Sequence, residues 1–350
     1  MKSWLIYGAT GYSGRLIAET AAKAGMKPVL AGRSASVEAI ASGLGLEARI
    51  FDLADTAATL KALSGIHLVL NCAGPFSATA APMIDACLQV KAHYLDITGE
   101  IAVFEHARSR DADARSAGVI LCPGVGFDVI PTDCVAAALK AALPDATDLA
   151  LGFDTASGLS PGTTKTMIEG LPDGGKARRA GKILTVPSAA FRRVIDFGYG
   201  AKYAMSIPWG DVSTAFHTTG ISNITTFIAN PKPIALMMRA TSGLARLFGR
   251  PGIQRWLKGL VDRHVKGPDE EARKKLRTAV WGEARNAAGE IRTARIETAN
   301  GYQLTIDGAL AMAGRVIAET PQRAGYQTPA GLYGPRLVES LPGSGRIILS

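Results

Sequence analysis

Short apolar runs alternate with segments of helical spacing through roughly the first 140 residues. Six runs predict strands: Trp4–Tyr7, Pro28–Ala31, Ala48–Phe51, His67–Asn71, His93–Ile97 and Val119–Leu121. Between them, Gly14–Ala24, Thr56–Leu63, Pro82–Val90, Val103–Ser116 and Asp133–Leu143 predict helices. Strands that short and apolar, each followed by a helix, pair in parallel through right-handed crossovers. The expected fold class is therefore α/β, with an N-terminal Rossmann-type doubly wound parallel sheet.

The pattern changes after Pro144-Asp145-Ala146. Phe191–Phe197, Ala201–Ile207, Val212–Gly220 and Asn223–Ala229 read as strands separated by Gly or Pro turns, as do Trp281–Ala287, Glu290–Thr298 and Gly301–Thr305. Together they predict a second α+β domain on a largely antiparallel sheet. Pro233–Phe248, Ile253–His264 and Asp307–Glu319 predict helices, and Gly152–Lys182 is expected to hold a mobile loop over a site. The expected division is residues 1–145 for the first domain and 146–305 for a second, substrate or oligomerisation domain.

Composition sharpens this picture in three places. Four cysteines, Cys72, Cys87, Cys122 and Cys134, form no Cys-x-x-Cys pair and have no histidine cluster, so buried thiols are expected and no metal site. No apolar run reaches the roughly 18 residues of a membrane span, and a soluble, cytoplasmic protein is the expectation. The net charge of +9 is uneven: residues 231–280 hold 12 basic and 4 acidic side chains. Such a local field points to an anionic ligand, a lipid surface or an acidic partner at one place.

Candidate chemistry begins with Gly8-Ala-Thr10-Gly11-Tyr12-Ser13-Gly14, set between a strand and a helix. Glycines there allow a sharp turn and close backbone approach to a diphosphate, with the helix N-terminus aimed at it. The spacing departs from G-x-G-x-x-G, and a plain tight turn is the alternative. The second strand ends at Arg33-Ser34, where NAD enzymes carry a carboxylate for the ribose 2′-hydroxyl. A guanidinium there suits a 2′-phosphate and hence NADP; a solvated loop arginine is the alternative. Cys72-Ala73-Gly74-Pro75 and Gly99 close the fourth and fifth strands, where the nicotinamide half would lie.

These segments, GATGYSG (8–14), AGRS (31–34), NCAGPF (71–76), YLDITGE (94–100) and GFDVIPTD (126–133), resemble the saccharopine dehydrogenase-like oxidoreductases, including the trans-acting enoyl reductases among them. The resemblance implies NADP contacts from Gly8, Thr10–Gly14, Arg33, Ser34 and Ala73–Pro75. It also implies a second domain with a mixed sheet and a C-terminal return, here 306–350, onto the first domain.

The proton donor is the open question. No tyrosine precedes a lysine by four residues, which disfavours the Tyr-x-x-x-Lys mechanism. Asp128 and Glu100 are the catalytic candidates, while Asp133 reads as a first-turn helix carboxylate. Tyr94, Asp96, and His217 in its strand-like run read as packing, and Lys165 and Lys176 as solvated lysines that could instead hold an anion. On the basic helices, Ile234, Met237, Met238, Thr241, Leu244, Ala245 and Phe248 share one face, and Ile253, Trp256, Leu257, Leu260 and Val261 another. Arg239, Arg246, Arg250, Arg255, Lys258 and Arg263 lie outside them. Packing on the protein's own sheet, a homodimer interface, cover for an acyl chain and peripheral membrane contact through 233–264 all fit. Nucleic acid does not, since aromatics are not interleaved with the charges. The expected function is an NADP-dependent oxidoreductase acting on a C=O, C=C or C=N bond of a small or acyl-type substrate. The alternatives are a non-catalytic NADP-binding scaffold or sensor, and an isomerase or lyase that retains its nicotinamide.

Overall fold

The computed structural model describes residues 2–318 and 323–350, apart from the side chains of Leu244, Ala245, Arg246 and Asp262. Its N-terminal part runs β1 (Trp4–Tyr7), α1 (Tyr12–Lys23), β2 (Val29–Gly32), α2 (Ser36–Leu44), β3 (Ala48–Ile50), α3 (Thr56–Leu63), β4 (Leu68–Asn71), α4 (Phe76–Val90), β5 (His93–Asp96), α5 (Ile101–Ser109), α6 (Asp111–Ala117), β6 (Ile120–Cys122) and α7 (Ile130–Ala142). The strands pair in parallel in the order β3-β2-β1-β4-β5-β6, with β1, β2, β4 and β6 buried, β5 buried except at His93, and the edge strand β3 partly exposed. That order reverses direction between β1 and β4, which opens a crevice at the carboxyl ends of those two strands. Two helices differ from expectation. The helix at α4 begins six residues before Pro82, because Glu100 receives its first N–H groups. The expected helix 103–116 is broken at Arg110 into α5 and α6.

The chain continues with β7 (Ala146–Thr155), α8 (Pro161–Gly170), β8 (Gly175–Arg179), β9 (Lys182–Val186), β10 (Arg192–Asp196), β11 (Ala201–Ile207), α9 (Asp211–Thr219), β12 (Asn223–Ala229), α10 (Lys232–Thr241), α11 (Ala245–Phe248), α12 (Pro251–His264), α13 (Glu270–Lys275), β13 (Arg277–Asn286), β14 (Ile291–Ala299), α14 (Gly301–Ala318), β15 (Gly325–Tyr326), α15 (Pro329–Tyr333) and β16 (Ile348–Leu349). The second sheet has the order β10-β11-β12-β7-β13-β14-β16, with the β8–β9 hairpin attached to β12. It is antiparallel except where β12 runs parallel to β7, so it is mixed. The strand β15 joins the first sheet beside β6, whereas β16 pairs with β14 of the second.

Three expectations are corrected. Residues 212–220 form the helix α9, not a strand. Its β-branched content suggests a strand, but Val212, Ala215 and Thr219 recur at helical spacing and are buried, and Gly220 ends the helix at φ 72°. Helix propensity is a weak prior that tertiary burial overrides. Likewise 301–305 opens α14: Asn300 Oδ1 accepts the Tyr302 N–H, and the buried Leu304, Gly308, Met312 and Val316 fall four apart. Segment 152–182 is mostly the end of β7, α8 and β8, so the loop expected there is confined chiefly to 156–160. The helix expected at 307–319 is the later part of α14, with Glu319 outside the described residues.

The helix α7 holds the two sheets together. Nine of its thirteen residues are buried, and it packs on β13 and β14 as well as on α9. Its seat is Gly282 of β13, where a Cβ would lie 2.6 Å from Val135 Cγ1 and 2.7 Å from Leu139 Cδ1. We expect Gly282→Ala to overpack this seam and cost about 1–3 kcal/mol in chemical denaturation. An unchanged midpoint would mean that the seam is loose.

Candidate functional site

The crevice is lined by four loops that leave the carboxyl ends of strands. After β1, Gly8 turns with φ 86°, and a Cβ on it would sit 2.7 Å from the Ala73 backbone nitrogen of the loop after β4. A Cβ on Gly14 would overlap the Gly8 carbonyl oxygen and come within 3.1 Å of Cys72 Cβ. Gly11 N–H donates to Gly8 O at 3.0 Å, closing the turn. The helix α1 then starts with no side-chain cap, so its first N–H groups and positive dipole end face the crevice. A bare backbone concavity at a helix N-terminus fits a diphosphate.

At the tip of β2, Arg33 is exposed. Ser34 Oγ accepts from Ser36 N at 3.2 Å and lies 2.9 Å from Ser36 Oγ. The neighbouring strand β3 brings Asp52 close to this corner, where it and burial raise the Tyr7 phenol while Arg33 opposes them. Asp52 has no motif to announce it and went unnoticed in the sequence.

The β4 loop is fixed from below. The buried Asn71 accepts from Ala73 N through Oδ1 (3.0 Å) and donates through Nδ2 to Thr79 Oγ1 (3.2 Å), while Thr79 donates to Ala73 O at 2.6 Å. Glu100 reaches across from the β5 loop and accepts from Phe76 N (3.0 Å) and Ser77 N (2.7 Å). It therefore caps α4. Burial raises its carboxyl above the usual range, with these two N–H donors pulling the other way. Asp96 ties the same region together: it accepts from Tyr94 Oη (2.7 Å), Thr98 N (3.0 Å) and Gly124 N (2.8 Å), and burial lifts it to about 6.

Asp128 differs from these carboxylates. It makes no protein hydrogen bond among the described residues, and desolvation by surrounding protein raises it to about 7. Gly99 leaves it room, since a Cβ there would lie 2.7 Å from Asp128 Oδ2. Beside it stand an aromatic wall, of which Phe127 belongs to the 126–133 motif while Phe153 and Trp209 have none, and a second carboxyl, also without a motif. Phe127 meets Phe153 edge-on at 5.4 Å, and Phe153 meets Trp209 at 4.8 Å. Trp209 Nε1 is buried without a partner among the described residues. Asp211, two residues on, is fully buried, and burial pushes its carboxyl well above the usual range, helped by Asp133 and Asp128. The adjacent Thr132 hydroxyl donates instead to Val129 O.

Asp133 is in the first turn of α7, as expected, and is a joint: it accepts from Thr218 Oγ1 (2.5 Å) and Ala330 N (2.9 Å), tying α9 and α15 to the first domain. His217 lies on α9, not on a strand, 3.9 Å from Glu105 Oε1. Together with Ser213 (2.5 Å) and Arg178 (3.2 Å) it holds Glu105 at about 2. Lys176 donates to Thr185 across the β8–β9 hairpin, and Lys165 has partners within the chain. Tyr12 turns its side chain away from the turn: its hydroxyl donates to Pro268 O and accepts from Arg273, and its ring meets Tyr302 edge-on at 5.4 Å. Only its backbone remains for a diphosphate.

Comparison with known proteins agrees with this geometry. Residues 4–122 match the family described as saccharopine dehydrogenase NADP binding domain. A trans-acting enoyl reductase of Mycobacterium leprae is 34% identical over 140 residues, which cover 37% of this chain and 33% of that protein. A trans-acting enoyl reductase of Mycobacterium tuberculosis is 30% identical over 204 residues, covering 52% and 48%. The matched stretches thus span a third to a half of these relatives. The apo saccharopine dehydrogenase (L-Glu forming) of Saccharomyces cerevisiae superposes over the whole of both chains with a TM-score of 0.68 at 13% identity, a likeness of fold. Residues 4–122, with the glycine cradle and the arginine-tipped second strand, thus match the saccharopine dehydrogenase NADP binding domain, and NADP is the cofactor.

Proposed function

We propose that the chain is an NADP-dependent oxidoreductase that moves a hydride between the nicotinamide and a C=O, C=C or C=N bond of a small or acyl-type substrate. The observation that carries this reading is the crowded glycine cradle after β1, together with Asp128, which lies against Gly99 at the end of β5 and whose carboxyl desolvation raises to about 7. NADP, when bound, supplies the hydride chemistry. Backbone groups of Gly8, Thr10, Gly11, Tyr12, Ser13 and Gly14 would hold the diphosphate, and Arg33 with Ser34 the 2′-phosphate. Cys72–Pro75 and Gly99 would line the nicotinamide side. Asp128 would hold the proton that accompanies the hydride, and the wall of Phe127, Phe153 and Trp209 favours an apolar or acyl substrate. Residues 1–145 then carry the cofactor and 146–305 the substrate, with 306–350 returning to the first domain. Four buried thiols suit a reducing cytoplasm.

Arg33→Ala is expected to weaken NADPH by ten-fold or more, on the order of 1.4 kcal/mol, and NADH little, by calorimetric titration. Equal losses would remove the 2′-phosphate role. If Asp128 donates the proton, reduction is carried by its protonated form. NADPH oxidation across a panel of carbonyl, enoyl-thioester and imine substrates should then be flat below about pH 7 and fall above it. Asp128→Asn should lower the rate by about 10²–10⁴-fold and erase that alkaline limb. Glu100→Gln turns an amide N–H₂ toward one of two backbone donors, so a loss of about 1–3 kcal/mol in stability is expected. A slowed reaction at unchanged stability would instead make Glu100 the chemical group.

The second reading is a non-catalytic NADP-binding scaffold or sensor, favoured by the capping role of Glu100 and by the exposed apolar residues of α10 and α12. It predicts tight NADPH binding with no turnover on the panel.

A further inference from the structure

The helices α8, α10, α11 and α12 form one continuous layer. The helix α12 packs on α8, where Gln254 Nε2 donates to Ile168 O at 2.8 Å and Lys258 pairs with Glu169 at 2.5 Å. The same Gln254 holds Phe248 O at the end of α11. This layer buries little of its apolar content. On α10 only Ala235 is buried, with Met238 packed beside it against Met205 of β11. Ile234 (40% exposed), Leu236 (44%) and Met237 (61%) face out. Trp256 of α12 is 64% exposed, and Met167 of α8 is 54% exposed. The apolar face expected at 234, 237 and 238 is therefore split. Its Met238 edge packs on the protein, and its Ile234 and Met237 edge does not. Leu244, Ala245 and Arg246 lie outside the described side chains.

Charge decides what covers this surface. Residues 231–268 contain eight Lys or Arg and one Asp. Lys232, Arg239, Arg250, Arg255, Arg263 and Lys266 are exposed. A second copy of the chain would bring the same positive field against this one, and like charges oppose that pairing. An exposed tryptophan and methionine set among exposed cations match an anionic lipid interface, where the indole sits at headgroup level and the cations meet anionic headgroups.

We propose that the α8–α12 layer is a docking surface for an anionic membrane, with Trp256 and Met237 as the apolar anchors and Arg250 and Arg255 among its cationic contacts. No helix among the described residues is long and apolar enough to cross a bilayer, so the association is peripheral. The proposal rests on this surface and not on turnover. Vesicle binding without turnover, or turnover without vesicle binding, separates it from the oxidoreductase reading.

The test is co-sedimentation of the full chain with vesicles of phosphatidylglycerol and phosphatidylcholine against vesicles of phosphatidylcholine alone. Binding to the anionic vesicles, weakening as salt is raised, is expected. Trp256 reports insertion by a blue shift, since Trp4 and Trp281 are buried and Trp209 is mostly so. The pair Arg250→Glu with Arg255→Glu, and separately Met237→Ser with Trp256→Ser, should each lower partitioning by about ten-fold or more while NADPH binding is unchanged, which shows that the variants fold. Absent binding, equal binding to both vesicle types, or variants that bind anionic vesicles as the parent does would each overturn the proposal. So would a Trp256-dependent dimer in sedimentation equilibrium with no vesicle binding, which would make a second copy the occupant.

Discussion

The site depends on two backbones lying closer together than side chains allow. The turn after β1 presses on the loop after β4 at Gly8 and Ala73, and the start of α1 presses on the turn itself at Gly14. Any Cβ at either glycine would push the first turn of α1 out of the crevice between β1 and β4. The energy at stake is steric, and it selects glycine without reference to any ligand. Because the positions are bare, main-chain N–H groups rather than side chains face the crevice, and the chemistry that follows is that of a diphosphate.

The same economy governs the carboxylates around the crevice. Asp96, Glu100 and Asp133 all carry raised pKa values from burial, yet each is spent on hydrogen bonds that position a loop or a helix. Asp128 is shifted by burial too but has no such obligation. A perturbed carboxyl therefore marks chemistry only when its hydrogen-bonding capacity is left over. By that criterion Asp128 stands apart from Glu100, although in the sequence the two looked equivalent, and the buried Asp211, whose carboxylate oxygens have no hydrogen-bond partner among the described residues, stands with it.

The second sheet does more than complete the fold. Through Asp133, α7 is tied to α9 and α15, and through Gly282 it is seated on β13. This brings the turn before α9 to the ends of β5 and β6, where Gly210 lies against Phe104 and Gly99. Trp209 and Asp211 come beside Phe153 and Asp128 by that route, from a segment far along the chain. A contact on the other side, from Tyr12 to Pro268 and Arg273, ties the start of α1 to the loop after α12 and to α13.

Much of the first domain was legible because its signals are local. Short apolar runs between glycine turns define the strands β1 to β6. The glycine spacing at 8–14 and the arginine at 33 state the cofactor within a few residues of chain. The second domain was legible where a strand or helix has a regular pattern, as in β10, β11, β14 and α12. The helix α9 and the start of α14 read as strands, because β-branched residues and isolated aromatics outweigh a helical face that exists only once α5, α7 or α1 is present to bury it. Phe153 and Trp209 of the aromatic wall, the carboxyl of Asp211, the capping duty of Glu100 and the exposure of Trp256 had no sequence signature at all. By itself the chain determined the parallel sheet and the phosphate turn, since those follow from backbone sterics and nearest-neighbour spacing. Which carboxyl is free, which apolar face stays uncovered and what walls the crevice were decided by tertiary structure, because each depends on groups brought together from distant positions.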